Sequence, residues 1–163
     1  MASKVVSACV LLTLLALNLS GPATAQQDQG VELVSQIGGG ANGVAIQGPH
    51  AYVGVGPRLV ILDIDDPAHP SMAGQTEVLA GIVRRVAVDG DYAYLADGEG
   101  LRIVDVSDPS SPAEIGFVDT PGAAAAVAVD GGYAYLADGA NGLRIIDISD
   151  PTAPSDAGSY DTA

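Results

Sequence analysis

The chain has 163 residues, and its 20 acidic side chains outnumber 6 basic ones, for a formal charge of −14. That length bounds it to one modest domain, and the charge repels nucleic acid and anionic lipid, which excludes both as partners. A single cysteine, Cys9, leaves no disulfide framework to read.

The chain opens in the order of a secretory signal. Lys4 and the amino terminus make a short positive region, Val5 to Leu17 is an apolar run, and Gly21-Pro22 breaks it. Ala23-Thr24-Ala25 then supplies small residues where a signal is cut. The run is too short to span a bilayer comfortably. Residues 1–25 are therefore read as a signal peptide cleaved after Ala25, the alternative being a buried first element of the fold. Val6-Ser7-Ala8-Cys9 has the residue types of a lipoprotein box, but most of the apolar run follows the cysteine rather than preceding it. Cleavage removes Lys4, the only lysine, and Cys9. The mature chain must then hold itself by packing alone, with no further segment apolar enough for a membrane span, outside the cytoplasm: secreted, at the cell surface or in a periplasm. Residues 26–42 read as a tail in which Val31 to Ile37 has the pattern of a strand.

From there one sentence is written three times, about every 42 residues: VAIQGPHAYVGVGPRLVILDIDDPAHP at 44–70, VAVDGDYAYLADGEGLRIVDVSDPSSP at 86–112 and VAVDGGYAYLADGANGLRIIDISDPTAP at 127–154. Each copy carries four strand signals. In the second they are Arg85 to Val88, Tyr92 to Ala96, Leu101 to Val106 and Glu114 to Val118, separated by Asp89-Gly90, Asp97-Gly98 and Ser107-Asp108-Pro109. Asp-Gly between strand-like runs marks a tight hairpin. The third copy repeats this with Asp130-Gly131, Asp138-Gly139 and Asp150-Pro151 and a last strand near Asp156 to Tyr160. The first uses Gly48-Pro49, Val55-Gly56 and Asp66-Pro67. No 3.6-residue apolar period runs for a helical length after the signal, so the fold class is all-β. Strands two and three are apolar on both faces and must be covered on both sides. Four-stranded antiparallel units of this period, stacked face to face, are β-propeller blades at about 43–77, 85–119 and 126–161. A β-solenoid, the rival, repeats at shorter periods and lacks the tight hairpins.

LVILDI at 59–64, LRIVDV at 101–106 and LRIIDI at 143–148, each followed by Asp-Pro, resemble the LVIVD repeat, which is similar to the YVTN-type propeller repeats of bacterial and archaeal surface proteins. The resemblance covers about residues 31–163. It implies an extracytoplasmic propeller and no single activity. Val31 to Ile37 then reads as the outermost strand of an earlier blade. Closed propellers use about four to eight blades. Three blades leave three expectations: a longer propeller of which this is part, a half-ring that pairs with a second copy as a six-blade homodimer, or an open stack with raw end faces.

No residue set points to catalysis, a metal or a cofactor. Asp63, Asp105 and Asp147 recur in every copy, the pattern of a structural residue accepting hydrogen bonds from turn amides. Asp66, Asp108 and Asp150 precede proline and read as turn formers. Asp63-Ile64-Asp65-Asp66 and Asp89-Gly90-Asp91 lack the ordered oxygen array of a calcium loop. His50 and His69 sit in no Ser-His-Asp context, and there is no G-x-S-x-G elbow or Walker-type loop. Tyr92/Tyr94, Tyr133/Tyr135 and His50/Tyr52 pair on one face of strand two, as packing between blades or, alternatively, a carbohydrate-stacking platform. Phe117 and Tyr160 read as packing residues. Arg102 and Arg144, repeat-equivalent with Val60 in the first copy, are expected to pair with carboxylates. Arg84 and Arg85 are not repeated, since Asn42-Gly43 and Ala125-Ala126 stand in their places. They begin the strand nearest the propeller axis and are the candidate ligand-binding residues, the bland alternative being a local ion pair.

These readings add up to a secreted or cell-surface propeller module that binds or scaffolds a protein or glycan, without catalysis of its own. The alternative is a fragment of an extracellular propeller hydrolase or lyase whose active-site residues lie partly in other blades.

Overall fold

The structure, a computed structural model, describes residues 40–162. The signal peptide, Cys9 and the strand expected at Val31 to Ile37 lie outside the described residues. Three sheets follow one another along the chain, each of four antiparallel strands in sequence order. Blade 1 is β1 (Ala41–Gln47), β2 (His50–Val55), β3 (Arg58–Asp63) and β4 (Ser71–Gln75). Blade 2 is β5 (Arg85–Asp89), β6 (Tyr92–Ala96), β7 (Gly100–Asp105) and β8 (Ala113–Asp119). Blade 3 is β9 (Ala126–Asp130), β10 (Tyr133–Ala137), β11 (Leu143–Asp147) and β12 (Ser155–Tyr160). β1 begins two residues inside the stretch read from sequence as tail. A one-turn 3-10 helix at Gly139–Asn141 was not expected. It takes up the one residue by which the stretch between Ala137 and Leu143 exceeds that between their counterparts Ala96 and Leu101 in blade 2.

Local chemistry sets these elements. Each β1–β2-type hairpin turns on two residues, with Gly48, Gly90 or Gly131 in the left-handed region at φ 58°, 57° and 57°. The outer strand pair of each blade carries the same bulge, at Ile61/Leu62, Ile103/Val104 and Ile145/Ile146. It adds twist at the sheet edge, as bulges do. Asp105 and Asp147 accept hydrogen bonds from the amide and hydroxyl of Ser107 and Ser149, and Asp108 and Asp150 do the same for Ser110 and Thr152. In blade 1, Asp63 and Asp66 cap the amides of Asp65 and Ala68, and His69 Nδ1 lies 2.8 Å from Asp66. The repeated aspartates thus shape loops.

Those hydroxyls have a pH consequence. The Ser149 side chain, then its amide, holds the Asp147 carboxyl below its ordinary value. A depressed carboxylate stabilises the fold above its unfolded value of about 4 and loses that contribution as pH falls through the lower folded value. Ser149→Ala removes the larger of the two causes, so the Asp147 titration should move up toward the ordinary carboxylate range. Carbon-13 NMR of the side-chain carboxyls would record the shift, and an unmoved titration would refute this account.

Two apolar layers join the blades. Tyr52, Leu59 and Ile61 of blade 1 meet Val86, Ala93, Leu95 and Val104 of blade 2, with Leu79 and Val83 from the link between them. On the other side of blade 2, Tyr94, Leu101 and Ile103 meet Ala134, Leu136, Ile146 and Ile148 of blade 3. Leu59, Ile61, Leu95, Leu101, Ile103, Leu136 and Ile146 are fully buried, each contributing about 1.5–3 kcal/mol. Glycine permits the closest approach. A Cβ on Gly74 would sit 2.3 Å from the Pro109 carbonyl oxygen of blade 2, and one on Gly116 would sit 2.2 Å from that of Pro151 in blade 3. The Asp-Pro turn of each blade therefore rests on the outer strand of the blade before it. Gly158, the third member of the series, has nothing within 4 Å among the described residues. Among the described residues the array is open: one face of blade 1 and one of blade 3 pack against no other blade.

Candidate functional site

The strand order places Arg58, Arg84 and Arg85 at the same end of the blades. The first hairpin of each blade and its β3–β4-type loop lie at one end, and among the described residues that end holds many aspartates, from Asp63 to Asp150, with no arginine. The links between blades and the second hairpins lie at the other end, where Arg58, Arg84 and Arg85 stand among Glu77, Asp97, Glu99, Asp119 and Asp138.

Arg84 lies in the link just before β5, and its amide donates to the Ala96 carbonyl at 2.8 Å. Its guanidinium lies against Gly98 and fills the space where a Cβ on that residue would sit, at 2.9 Å from Nη2. Arg85 opens β5. Its Nη1 donates to the Asn42 carbonyl of blade 1 at 2.6 Å and to the Arg84 carbonyl at 3.0 Å. Asn42 in turn donates to Val83, and Gly43 lets the backbone of β1 come against that of β5. Ala41, Asn42, Gly43, Val44 and Arg85 line a shallow groove there, beside the innermost strands. Both arginines are exposed, and neither has a carboxylate within 4 Å among the described residues. The local ion pair is thus not formed with any described residue. The two guanidiniums reach apart, one over blade 2's second hairpin and one toward blade 1.

Arg102 and Arg144 do pair with carboxylates. Arg102 is buried and donates from Nε to Asp97, from Nη1 to Glu114 at 2.9 Å and from Nη2 to Glu99 at 3.0 Å, with Phe117 stacked 4.2 Å from its central carbon. Desolvation pulls its pKa down, but the Asp97 and Glu114 carboxylates outweigh it and leave it raised. Arg144 pairs with Asp156, while its Nε is buried without a partner. The reason is local: Asp138, the counterpart of Asp97, is taken by the Thr120 hydroxyl at 2.6 Å and the Gly122 amide at 3.0 Å. Asp97 and Asp138 are the important polar residues that sequence reasoning passed over as turn formers. Their only sequence signal was their place at the end of an apolar strand.

Tyr52, Tyr92 and Tyr94 take the packing role, whereas Tyr160, expected to pack, is 69% exposed. Tyr92 and Tyr94 lie in the layer against blade 3, and burial raises the pKa of Tyr94. Tyr52 is buried against blade 2, its ring edge-on to His50 at 6.4 Å. Tyr133, Tyr135 and Tyr160 are not fully buried. Among the described residues no three His, Cys, Asp or Glu side chains gather as a metal site, and no helix is long and apolar enough to cross a membrane.

The family model described as LVIVD repeat matches three times, at residues 38–78, 80–120 and 121–162. The chain belongs to the LVIVD-repeat family. Each matched LVIVD repeat contains one complete four-stranded blade, and the second and third also take in the link that leads into theirs. Two solved structures share the fold: the computationally designed Ika4 protein, at TM-score 0.62 and 16% identity over 82% of this chain and 81% of that one, and the designed Ika8 protein, at 0.61 and 10% over 76% and 37%. The LVIVD chain thus spans well under half of Ika8. At these identities the likeness is one of fold alone. A search of curated proteins returns no match.

Proposed function

We propose that this LVIVD-repeat protein is an exported β-propeller module that binds a protein or glycan outside the cytoplasm, with no catalysis of its own, and that the end carrying Arg84 and Arg85 meets the ligand. The observation that carries the reading is the pair of exposed guanidiniums without carboxylate partners among the described residues, in a chain where acids outnumber bases by 20 to 6. In such a protein a free arginine is easily neutralised by a neighbouring carboxylate, and leaving two at a nonrepeated position keeps them available to an anionic group. The rest of the surface repels polyanions. The ligand is therefore a largely neutral polymer or protein surface bearing isolated carboxylate groups. Export is supported by the order Lys4, apolar run, Ala23-Thr24-Ala25 at the start of the chain.

The test is an array of neutral, sparsely carboxylated and polyuronate glycans probed with the purified chain and with the Arg84→Gln/Arg85→Gln variant. Sparsely carboxylated glycans should bind and should lose at least about tenfold in affinity in the variant, the size of one charge-assisted contact. Binding that ignores the double substitution would move the ligand to another surface.

A further inference from the structure

We infer that the two open blade faces are halves of one interface, and that a second copy of this chain fills it, blade 3 of each copy against blade 1 of the other. The first half is the open face of blade 3. Blade 1 covers blade 2 with Tyr52, Leu59, Ile61, Ala73 and Gly74, all buried or partly buried. At the same positions blade 3 repeats the same residue types, Tyr135, Leu143, Ile145, Ala157 and Gly158, yet none of these is fully buried. Gly158 keeps its space clear, as Gly74 and Gly116 do beneath the Asp-Pro turns of blades 2 and 3.

The second half is the open face of blade 1. In blades 2 and 3 the corresponding face carries an arginine, a carboxylate at the end of strand two and an acidic residue on the outer strand: Arg102, Asp97 and Glu114, then Arg144, Asp138 and Asp156. Blade 1 has Val60, Val55 and Met72 there. Val44 and Ile46 of β1 complete the face, and with Met72 they are 62%, 61% and 62% exposed. The one face of this type without a blade against it among the described residues is thus the most apolar of the three. A face meant for water would vary in the opposite direction, and an uncovered patch of this kind marks an interaction site. Blade 1 also retains Asp66-Pro67, the turn that Gly158 is shaped to receive.

Val55 marks a junction that no covalent link enters, which fits a second copy and not a further blade feeding into blade 1. The carboxylate at that position in blade 3 captures the covalent link arriving from the blade before, through Thr120 and Gly122. A junction between two chains has no such link, and a carboxylate buried there would lack the two donors that the link brings to Asp138. Two junctions of this kind related by a twofold axis close a ring of six blades, within the range that propellers use.

Light scattering after size exclusion tests this on the purified chain, with Gly158→Leu and Val44→Asp as variants and circular dichroism as the check on folding. The chain should run at twice its own mass, and each variant, folded, at the mass of one. Gly158→Leu has open space in the single chain, and Val44→Asp changes a side chain already facing solvent, so either keeps the test alive if the other fails to fold. A monomeric parent chain would overturn the inference and assign the faces to another segment or another blade. A dimer that survives Val44→Asp would overturn it too, because it would pair blade 3 with blade 3.

Discussion

Arg102→Ala should lower stability by about 3–5 kcal/mol, the cost of breaking a buried ion pair from one side. The Asp97 carboxylate is fully buried and is held by Arg102 Nε and by the amides of Glu99 and Gly100. Removing the guanidinium strands that charge, unpairs Glu114 and Glu99, and leaves Phe117 without its stacking partner. Blade 1 contains its own control, since Val55 and Val60 stand where Asp97 and Arg102 stand in blade 2. The double variant Asp97→Val/Arg102→Val removes the charge together with its partner. It should therefore recover most of the loss, as apolar replacement of a whole buried pair often does. Urea unfolding of the three chains would decide between a pair that matters for its net energy and one that matters because half of it cannot stand alone. Equal losses in the single and double variants would mean that the pair is strongly stabilising in itself.

The blade pattern was legible because it is periodic. Strand four of blade 2 was expected at Glu114 to Val118 and runs from Ala113 to Asp119, and strand one, expected at Arg85 to Val88, runs one residue further. Alternation of apolar side chains and Asp-Gly turns are local signals, and three copies average out their noise. The role of Asp97 and Asp138 was not legible, because an Asp-Gly pair looks the same whether its carboxylate faces water or a crossing chain. That difference is made by Gly81 and Gly122, which bring the links against the carboxylates from about 16 residues upstream. Arg84 and Arg85 stood out in sequence because they break the repeat. That no described carboxylate lies within 4 Å of either became visible only in the structure, because Asp97 and Glu99 in the adjoining hairpin are both taken by Arg102.

Asp138→Ala should cost about 2–4 kcal/mol and loosen blade 3 from blade 2 while leaving blade 1 packed on blade 2. Asp138 is fully buried, and its two oxygens accept from Thr120 and Gly122, both on the link that crosses between the blades. Hydrogen bonds to a charged group contribute about 1.5–3 kcal/mol each, and a buried donor left without a partner costs about 1–3 kcal/mol. Relief of the buried charge offsets part of that total, which sets the expected figure below the plain sum. Asp138→Asn separates the contributions. Its carbonyl oxygen can still accept from the Thr120 hydroxyl, but its amide group then faces the Gly122 N–H, donor against donor, so about half the loss should remain. Amide hydrogen exchange would locate the effect. Protection should fall in β9, β10 and β11 and hold in β2 and β3, because the layer between blades 1 and 2 contains no part of the Asp138 contact. Uniform loss across all three blades would instead mean that the array unfolds as one unit and that stability is not passed from neighbour to neighbour, as stacked repeats ordinarily pass it.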